Sequence, residues 1–396
     1  MTEVRSYSSG ASQSELRNHN ERLILTILQR EGPMAGSELA RLTGLSPQTT
    51  SVILRKLEHD ALLARGETQK GRVGKPSVPM GLNPEGLYSF GIKIGRRSSE
   101  LALINFTGEL QEQRQLHYPY PRPDEVFGFL AAGLADLNDG QPKAHQGRIA
   151  GVGVAMAFDI WRWHQQVGAP RESLEAWREL DLKAEVARIS DLPVFVVNDA
   201  TAACRAEHML GGGKAWRDYL YFYIGSFVGG GVVLNNSVYE GVRGNAGALG
   251  PLPVVRPDLP DGRLLDLASL SILEQSLGQS GQDPRALRDQ PDDWSEFEDH
   301  LTPWIEACAE GLAQGALASC AVIDFEAVVI DGALPDAVRR RVVKRTQEIL
   351  PTLDARGLIL PEVAEGQIGA NARALGAATK PIIAQYFLDS HAGLAA

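Results

Sequence analysis

Cysteine is scarce in this chain of 396 residues, which holds only Cys204, Cys308 and Cys320. They form no CxxC pair and have no His cluster beside them, which argues against a disulfide framework and a cysteine zinc site. No apolar run reaches the roughly 18 residues that a membrane span needs. The polar, Ser-rich start lacks the basic and apolar segments of a secretory signal. We therefore expect a cytoplasmic protein with buried thiols and a disordered tail over residues 1–14.

Charge is distributed unevenly along the chain, although its overall composition is that of an ordinary globular protein with two or three domains. Residues 1–80 carry 11 Lys and Arg against 8 Asp and Glu, whereas the remainder carries 28 against 41. A small polyanion-binding module joined to a larger acidic body would give this asymmetry. Chance variation between solvated faces would give it as well, so charge alone leaves both interpretations open.

Helical spacing is evident in the basic head. Apolar residues recur from Asn18 to Arg30, and Gly32-Pro33 ends that pattern. A second helix follows with Ser37 as its expected N-cap, and Gly44 supplies the tight turn after it. A third helix, from Ser46 as N-cap and Pro47 to about His59, is expected to turn three apolar side chains inward: Val52, Ile53 and Leu57.

The order helix, glycine turn, helix is typical of a helix-turn-helix whose second helix enters the major groove of DNA. Hydroxyl, amide and guanidinium groups suited to phosphates and base edges lie near its start, and the candidate DNA contacts are Ser46, Gln48, Thr49, Ser51 and Arg55.

Two strand-like runs then flank the basic, glycine-rich stretch 70–76, which predicts a wing with Arg72 and Lys75 on phosphates or in the minor groove. We expect a winged helix-turn-helix DNA-binding domain over residues 15–83. The alternative is a small helical cap that packs on the body.

Past Asn83-Pro84 the pattern becomes that of an α/β domain with helices on both faces of a mixed sheet. Strands are expected over 87–95, 101–105, 109–118, 149–155 and 194–197, and helices over 124–137, 176–190 and 200–210. Two further strands, 219–223 and 232–235, flank the glycine cluster Gly225 to Gly231. Such a cluster lets backbone N–H groups approach a phosphate or a sugar, or it forms a tight hairpin, and both interpretations remain open.

Five segments together resemble the ROK family of repressors and sugar kinases: Leu45 to Lys56, Gly71 to Pro76, Val197 to Ala203, Gly225 to Gly231 and Gly244 to Gly250. Within that family they are most similar to regulators with an N-terminal winged helix-turn-helix. The resemblance covers about Asn18 to Tyr386. It implies an α/β, two-lobed, actin/hexokinase-like (ribonuclease H-like) effector body over 84–396, with a sugar-binding cleft between the lobes.

The chain departs from the family's kinases at several positions. Where they have Asp-x-Gly-Gly-Thr it has Lys93-Ile94-Gly95-Arg96-Arg97, so an ammonium replaces the carboxylate that helps to hold Mg²⁺. The family's Glu and His in Gly-Glu-x-Gly-His, which hold sugar and zinc, correspond to Ala248 and Pro251. Residues 258–270 hold no cysteine where the family has a zinc segment. We expect no metal, no cofactor and no conventional hexose pocket.

Asp199 corresponds to the family's general base, and Asn198 stands beside it. Asp199 is either a catalytic relic that caps a helix starting at Ala200 or a contact to a small molecule. Asn245 is either a turn residue or a sugar contact. The candidate ligand-binding residues are therefore Asn198, Asp199 and Asn245, and no residue is assigned active catalysis.

The favoured hypothesis is a transcriptional regulator, a repressor of carbohydrate-related genes, that binds operator DNA as a homodimer or homotetramer. A sugar or sugar derivative would act as effector by closing the lobes. One alternative is an ATP-dependent sugar kinase, against which Lys93, Arg97, Ala248 and Pro251 all count. Another is a constitutive DNA-binding protein whose body binds no ligand.

Overall fold

The N-terminal part of the chain is a helix-turn-helix followed by a small hairpin. The computed structural model describes residues 13–67, 78–164 and 168–389. Its first elements are α1 (Gln13–Glu31), α2 (Gly36–Thr43), α3 (Pro47–His59), β1 (Leu63–Arg65) and β2 (Met80–Leu82). The two strands pair antiparallel. The expected wing residues Arg72 and Lys75, like most of the expected tail, lie outside the described residues.

Two of the turn and cap residues expected from the sequence of this domain are confirmed. Gly44 ends α2 with a left-handed φ of 70°, and Ser46 caps α3 by accepting a 3.1 Å hydrogen bond from the Thr49 amide.

The expected N-cap at Ser37 is wrong, because α2 begins at Gly36 and places Ser37 inside its first turn. An inward Val52 is also wrong: its side chain is 53% exposed, because α3 buries the stripe Thr50, Ile53, Leu54 and Leu57 at helical spacing.

The body repeats one sheet topology twice. The first sheet contains β3 (Tyr88–Ile94), β4 (Ser98–Asn105), β5 (Leu110–His117), β6 (Ile149–Met156) and β7 (Val194–Asn198), in the order β5-β4-β3-β6-β7. The second contains β8 (Tyr219–Ile224), β9 (Val228–Leu234), β10 (Ser237–Tyr239), β11 (Ala327–Gly332) and β12 (Glu362–Glu365), in the order β10-β9-β8-β11-β12. In each sheet the first three strands are antiparallel and the last two parallel to their neighbours. This is the expected two-lobed α/β body.

Ten helices of the body are described: α4 (Pro123–Asp139), α5 (Lys143–Gln146), α6 (Arg171–Glu175), α7 (Leu182–Ala187), α8 (Asp199–Leu210), α9 (Leu270–Gln279), α10 (Ala286–Asp289), α11 (Glu298–Cys320), α12 (Asp336–Ile349) and α13 (Ala372–Tyr386). The single helix expected over 176–190 is wrong. Trp177 is buried and donates its indole N–H to the Pro121 carbonyl, and Asp181 starts α7 by capping the Lys183 amide. None of the helices in the described part of the chain has the length and hydropathy of a membrane span.

Helices α8 and α13 pack against each other between the two sheets. Helix α13 lies on β3, β4 and β6 of the first sheet, and α8 lies on β9 of the second. The helices approach closely at Gly376, where a Cβ atom would stand 1.7 Å from the Ala202 carbonyl oxygen. The absence of a side chain at Gly376 therefore sets the distance between the two helices.

The DNA-binding domain shares an apolar core with the body. Ile24, Leu25 and Leu28 of α1 belong to the same buried cluster as Phe106 and Ile382. Because this core is continuous, α1 is packed on the body rather than held by a linker alone.

Hydrogen bonds reinforce that junction. Arg22 donates to the Ala384 carbonyl at 2.6 Å, and Gln29 donates to the Met209 carbonyl at 2.8 Å. The Thr26 hydroxyl accepts the Leu388 amide at 2.9 Å. Arg22 and Gln29 thus bind the C-terminal turns of α13 and α8.

Replacing Gly376 by Ala is expected to destabilise the protein by about 1–3 kcal/mol, because overpacking would force the two helices apart. Gly128→Ala is the matched control, since Gly128 lies in α4 and an added methyl group there would meet no atom within 4 Å. That change should be neutral or stabilise by up to about 1 kcal/mol. Urea unfolding of both variants measures the difference, and equal midpoints would show that the close approach at Gly376 is not required.

Candidate functional site

A cavity of about 330 Å³ lies between the lobes. Its wall combines the β3–β4 turn, the segment after β6, the start of α8, the β8–β9 turn, the loop 245–251 and the start of α13. The polar side chains on the wall that matter most here are Arg96, Asn198, Asp199, Asn245 and Arg373. A volume of this size suits a small molecule.

The three expected ligand-binding residues all line this cavity. Asn198, not Asp199, is the N-cap of α8, since its Oδ1 accepts the amides of Ala200 at 3.0 Å and Thr201 at 3.3 Å. Helix α8 begins at Asp199, so the expected cap role of Asp199 is wrong. Asp199 instead lies 3.6 Å from the Arg373 guanidinium. The ligand roles of Asn198, Asp199 and Asn245 stay predictions.

Lys93 lies behind the cavity wall. It is 3% exposed, and its ammonium donates to Glu100 and to the Ser98 hydroxyl, each at 2.7 Å. Burial lowers the pKa of Lys93 to about 8. Burial also acts to raise the pKa of Glu100, but the charges of Lys93 and Arg373 hold it below its usual value. The carboxylate that the family's kinases have at this position is thus replaced by a buried ion pair.

The β3–β4 turn places Arg96 on the cavity wall. Its guanidinium lies over two aromatic rings, 4.4 Å from the centre of Phe227 and 5.3 Å from the centre of Trp163. Arg97 points elsewhere and donates to the Pro119 carbonyl. In the family's kinases this turn is expected to hold nucleotide phosphates. In this chain it holds the stacked guanidinium of Arg96 instead.

The glycine cluster forms a tight hairpin and also borders the cavity. Gly225 to Phe227 make the turn, and Gly229, Gly230 and Gly231 lie inside β9. Strand β9 therefore begins at Val228, earlier than the expected start at Val232. Gly229 and the ring of Phe227 line the cavity, so the two interpretations of this cluster are compatible.

The loop 245–251 contributes Asn245, Ala248 and Pro251 to the wall. Neither Ala248 nor Pro251 offers the carboxylate or imidazole that the family's kinases use there for sugar and zinc. Within residues 13–67, 78–164 and 168–389, no three His, Cys, Asp or Glu side chains lie together as a metal site would require.

Sequence reasoning misses several residues of the cavity. Arg96 lies in the stretch 93–97, but the sequence argument against kinase activity used Lys93 and Arg97 and did not single out Arg96. Arg373 and Tyr223 come from distant segments, and the Arg373 guanidinium lies 5.1 Å from the centre of the Tyr223 ring. The only local signal among these residues is the unusual pair Arg96-Arg97 in a turn, since nothing in the sequence around Arg373 or Tyr223 points to the cavity.

The candidate DNA-binding face is the exposed side of α3. Ser46, Gln48, Thr49, Ser51 and Arg55 are all exposed. Ser46 has a structural task as the cap, and its hydroxyl and that of Thr49 are 2.8 Å apart. The side chain of Gln48 makes no hydrogen bond to the described residues, so its amide is free to contact a base edge. The two strands expected to flank the wing tip pair as β1 and β2, whereas the tip itself lies outside the described residues.

Two sequence profiles match this chain. One, described as the ROK family, matches residues 89–380, and the other, described as a winged helix-turn-helix DNA-binding domain, matches residues 17–60. Fold and site together define a DNA-binding protein with a two-lobed body of the sugar-kinase type. The chain belongs to the ROK family.

Its relatives include regulators and kinases. The chain is 25% identical to the uncharacterized protein y4fQ of Sinorhizobium fredii over 93% of this chain and 92% of that protein. It is 25% identical to the xylose repressor of Bacillus subtilis over 62% of each chain. It is 29% identical to the glucokinase of Streptomyces coelicolor over 47% of this chain and 55% of that enzyme. The chain thus spans less than two thirds of the length of the repressor and of the kinase.

Solved structures confirm the fold. A ROK family transcriptional regulator, described as a homolog of the E. coli MLC protein, superposes with a TM-score of 0.66 at 19% identity, covering 94% of this chain and 97% of that one. The ROK family glucokinase of Streptomyces griseus, in complex with glucose and AMPPNP, gives 0.56 at 20% identity over 74% and 98%. The match to the regulator extends over nearly the whole of this chain, so it includes the helix-turn-helix as well as the body.

Proposed function

We propose that this protein is a transcriptional repressor of carbohydrate-related genes whose kinase-like body senses a sugar or a sugar derivative. One observation carries the proposal. Helices α8 and α13 begin at the cavity, with Asp199 and Arg373 in their first turns, and end at α1 of the DNA-binding domain, where they accept hydrogen bonds from Gln29 and Arg22. A ligand that moves the N-terminal ends therefore acts on α1 through two packed helices.

The length and rigidity of the pair support this route. Helix α8 has 12 residues and α13 has 15, so at 1.5 Å per residue they extend about 18 and 22 Å. Their close contact at Gly376 leaves little space for one helix to move alone. A change in the distance between Asp199 and Arg373 would shift both helices together, as packed elements with two discrete arrangements do.

The relatives support the regulatory and carbohydrate parts of the proposal. Two of them are named xylose repressors and one is named the DNA-binding transcriptional dual regulator NagC. A single α3 reads one half-site, and regulators with this motif pair their recognition helices across two half-sites about one turn of DNA apart. The proposed DNA-bound form is accordingly a homodimer or a homotetramer, acting in the cytoplasm.

The proposal includes loss of kinase activity. Phosphoryl transfer depends on metal ions and positioned charge, and the turn that would receive nucleotide phosphates holds Arg96 stacked on Phe227. Lys93 forms a buried ion pair with Glu100. Asp199 remains in the cavity, but a general base contributes about 10² to 10⁴-fold, which is small beside the contribution of positioning.

Gln48→Ala is expected to weaken operator binding by about 1–3 kcal/mol and to leave random DNA unaffected, because an amide in the major groove can make a bidentate contact to adenine. The operator is first selected from random-sequence duplexes with the full-length chain. Fluorescence titrations then compare both duplexes at constant salt.

Gln111→Ala is the matched control, since Gln111 is an exposed amide on β5, and it should bind both duplexes as the unaltered chain does. An equal loss on operator and random duplexes, or no loss on either, would remove Gln48 from base recognition.

Incubation with ATP, Mg²⁺ and a panel of hexoses, amino sugars and pentoses is expected to give no sugar phosphate above background, because the cavity lacks the metal-binding carboxylate and, at Ala248 and Pro251, two of the family's sugar ligands. Asp199→Asn serves as the blank, measured by mass spectrometry of the products. A sugar phosphate formed by the unaltered chain and absent with Asp199→Asn would contradict the proposal and favour the sugar kinase.

A further inference from the structure

Arg96 is an unpaired cation in the cavity. Its guanidinium makes no hydrogen bond and no ion pair with any of the described residues, and its Nε atom is shielded from solvent without a partner. The rings of Phe227 and Trp163 lie beside it. Cation–π contact offsets part of the cost of removing a guanidinium from water, but it satisfies none of the five N–H donors.

The other charges of the cavity are already matched. Its wall carries three arginines and two aspartates. Arg162 pairs with Asp159 at 3.2 Å, and Arg373 lies 3.6 Å from Asp199. Asp199 also attracts Arg96, but that one carboxylate then faces two guanidinium groups. The wall therefore has one positive charge more than it has negative charges.

Arg96 remains charged at neutral pH. Burial lowers the pKa of its guanidinium to about 10, and the nearby charge of Asp199 opposes that change. Arg96 is half-buried on the cavity wall, and a cation partly removed from water without a partner is unfavourable; an anion that enters the cavity would relieve this cost. The planar fork of an arginine fits a carboxylate or a phosphate through two parallel hydrogen bonds.

The remainder of the wall suits hydroxyl groups. Asn245 supplies an amide, and Asp199 supplies a carboxylate that can accept from a hydroxyl while it stays near Arg373. About 330 Å³ admits a molecule of monosaccharide size with one charged substituent. The cavity thus presents hydroxyl-binding groups and an unpaired guanidinium together.

Resting on the proposed sensing function, the geometry points to an anionic sugar as the effector: we propose that its carboxylate or phosphate binds Arg96 and its hydroxyls contact Asp199 and Asn245. This explains why a turn that in the family's kinases has glycine holds an arginine here. It also distinguishes the cavity from a site for an uncharged hexose.

The test is calorimetric titration of the full-length chain with D-glucuronate, D-glucose 6-phosphate, D-glucose, D-xylose and ATP. At least one of the two anionic sugars is expected to bind about tenfold or more tightly than the neutral sugars, since hydrogen bonds to charged groups are the strong ones. Binding of glucuronate alone identifies a carboxylate ligand, and binding of glucose 6-phosphate alone identifies a phosphate ligand.

Arg96→Met keeps the apolar stem against the aromatic rings and should remove this preference, whereas Arg96→Lys should retain part of it. Arg178→Met is the matched control, because Arg178 is an exposed arginine outside the cavity, and it should bind as the unaltered chain does. Thermal unfolding of each variant confirms that it is folded.

Three results would overturn the proposal: no response to either anionic sugar, an affinity for anionic sugars that Arg96→Met leaves unchanged, or a response to ATP alone. Each of these leaves operator binding intact. Failure of the unaltered chain to select any operator would instead contradict the proposed function.

Discussion

The close contact between α8 and α13 is the constraint on which the rest of the structure depends. Gly376 has no side chain, so the second helix can lie directly against the Ala202 carbonyl of the first. This contact holds the two lobes at one distance, because each helix is packed on a different sheet. It also brings Asp199 and Arg373 together at the cavity and presents the opposite ends of both helices to α1. Ligand site and DNA-binding domain are therefore two ends of one packed unit.

The body has the fold of a sugar kinase, whereas the side chains of its cavity differ from those of the family's kinases. At the β3–β4 turn, each substitution is stabilised locally: Lys93 is paired with Glu100 and Ser98, and Arg96 is stacked on Phe227 and Trp163. Both substituted side chains of the turn therefore have stabilising neighbours within this chain. A site altered in this way can keep the lobe geometry of the family and bind a different class of ligand.

Much of the architecture could be predicted from the sequence because its signals are local. Strand alternation, the cap at Ser46 and the left-handed turn at Gly44 each depend on a few neighbouring residues. The errors arose where tertiary contacts decide. Trp177 interrupts an expected helix by packing at Pro121. Asn198 rather than Asp199 is the N-cap of α8. Asp199 lies near Arg373, which comes from a distant part of the chain. The stacking of Arg96 requires rings from two separate segments, which no local pattern joins.

The central claim, that α8 and α13 couple the cavity to α1, is tested most directly by measuring ligand affinity with and without operator DNA. Binding of the sugar ligand is titrated against the free chain and against the chain saturated with operator. The account predicts dissociation constants that differ by about 5- to 150-fold, the usual range of coupling between two sites. Replacing Arg22 and Gln29 by Met, which removes their hydrogen bonds to the two helices, should narrow that difference. Equal affinity of the unaltered chain in both states would contradict the account.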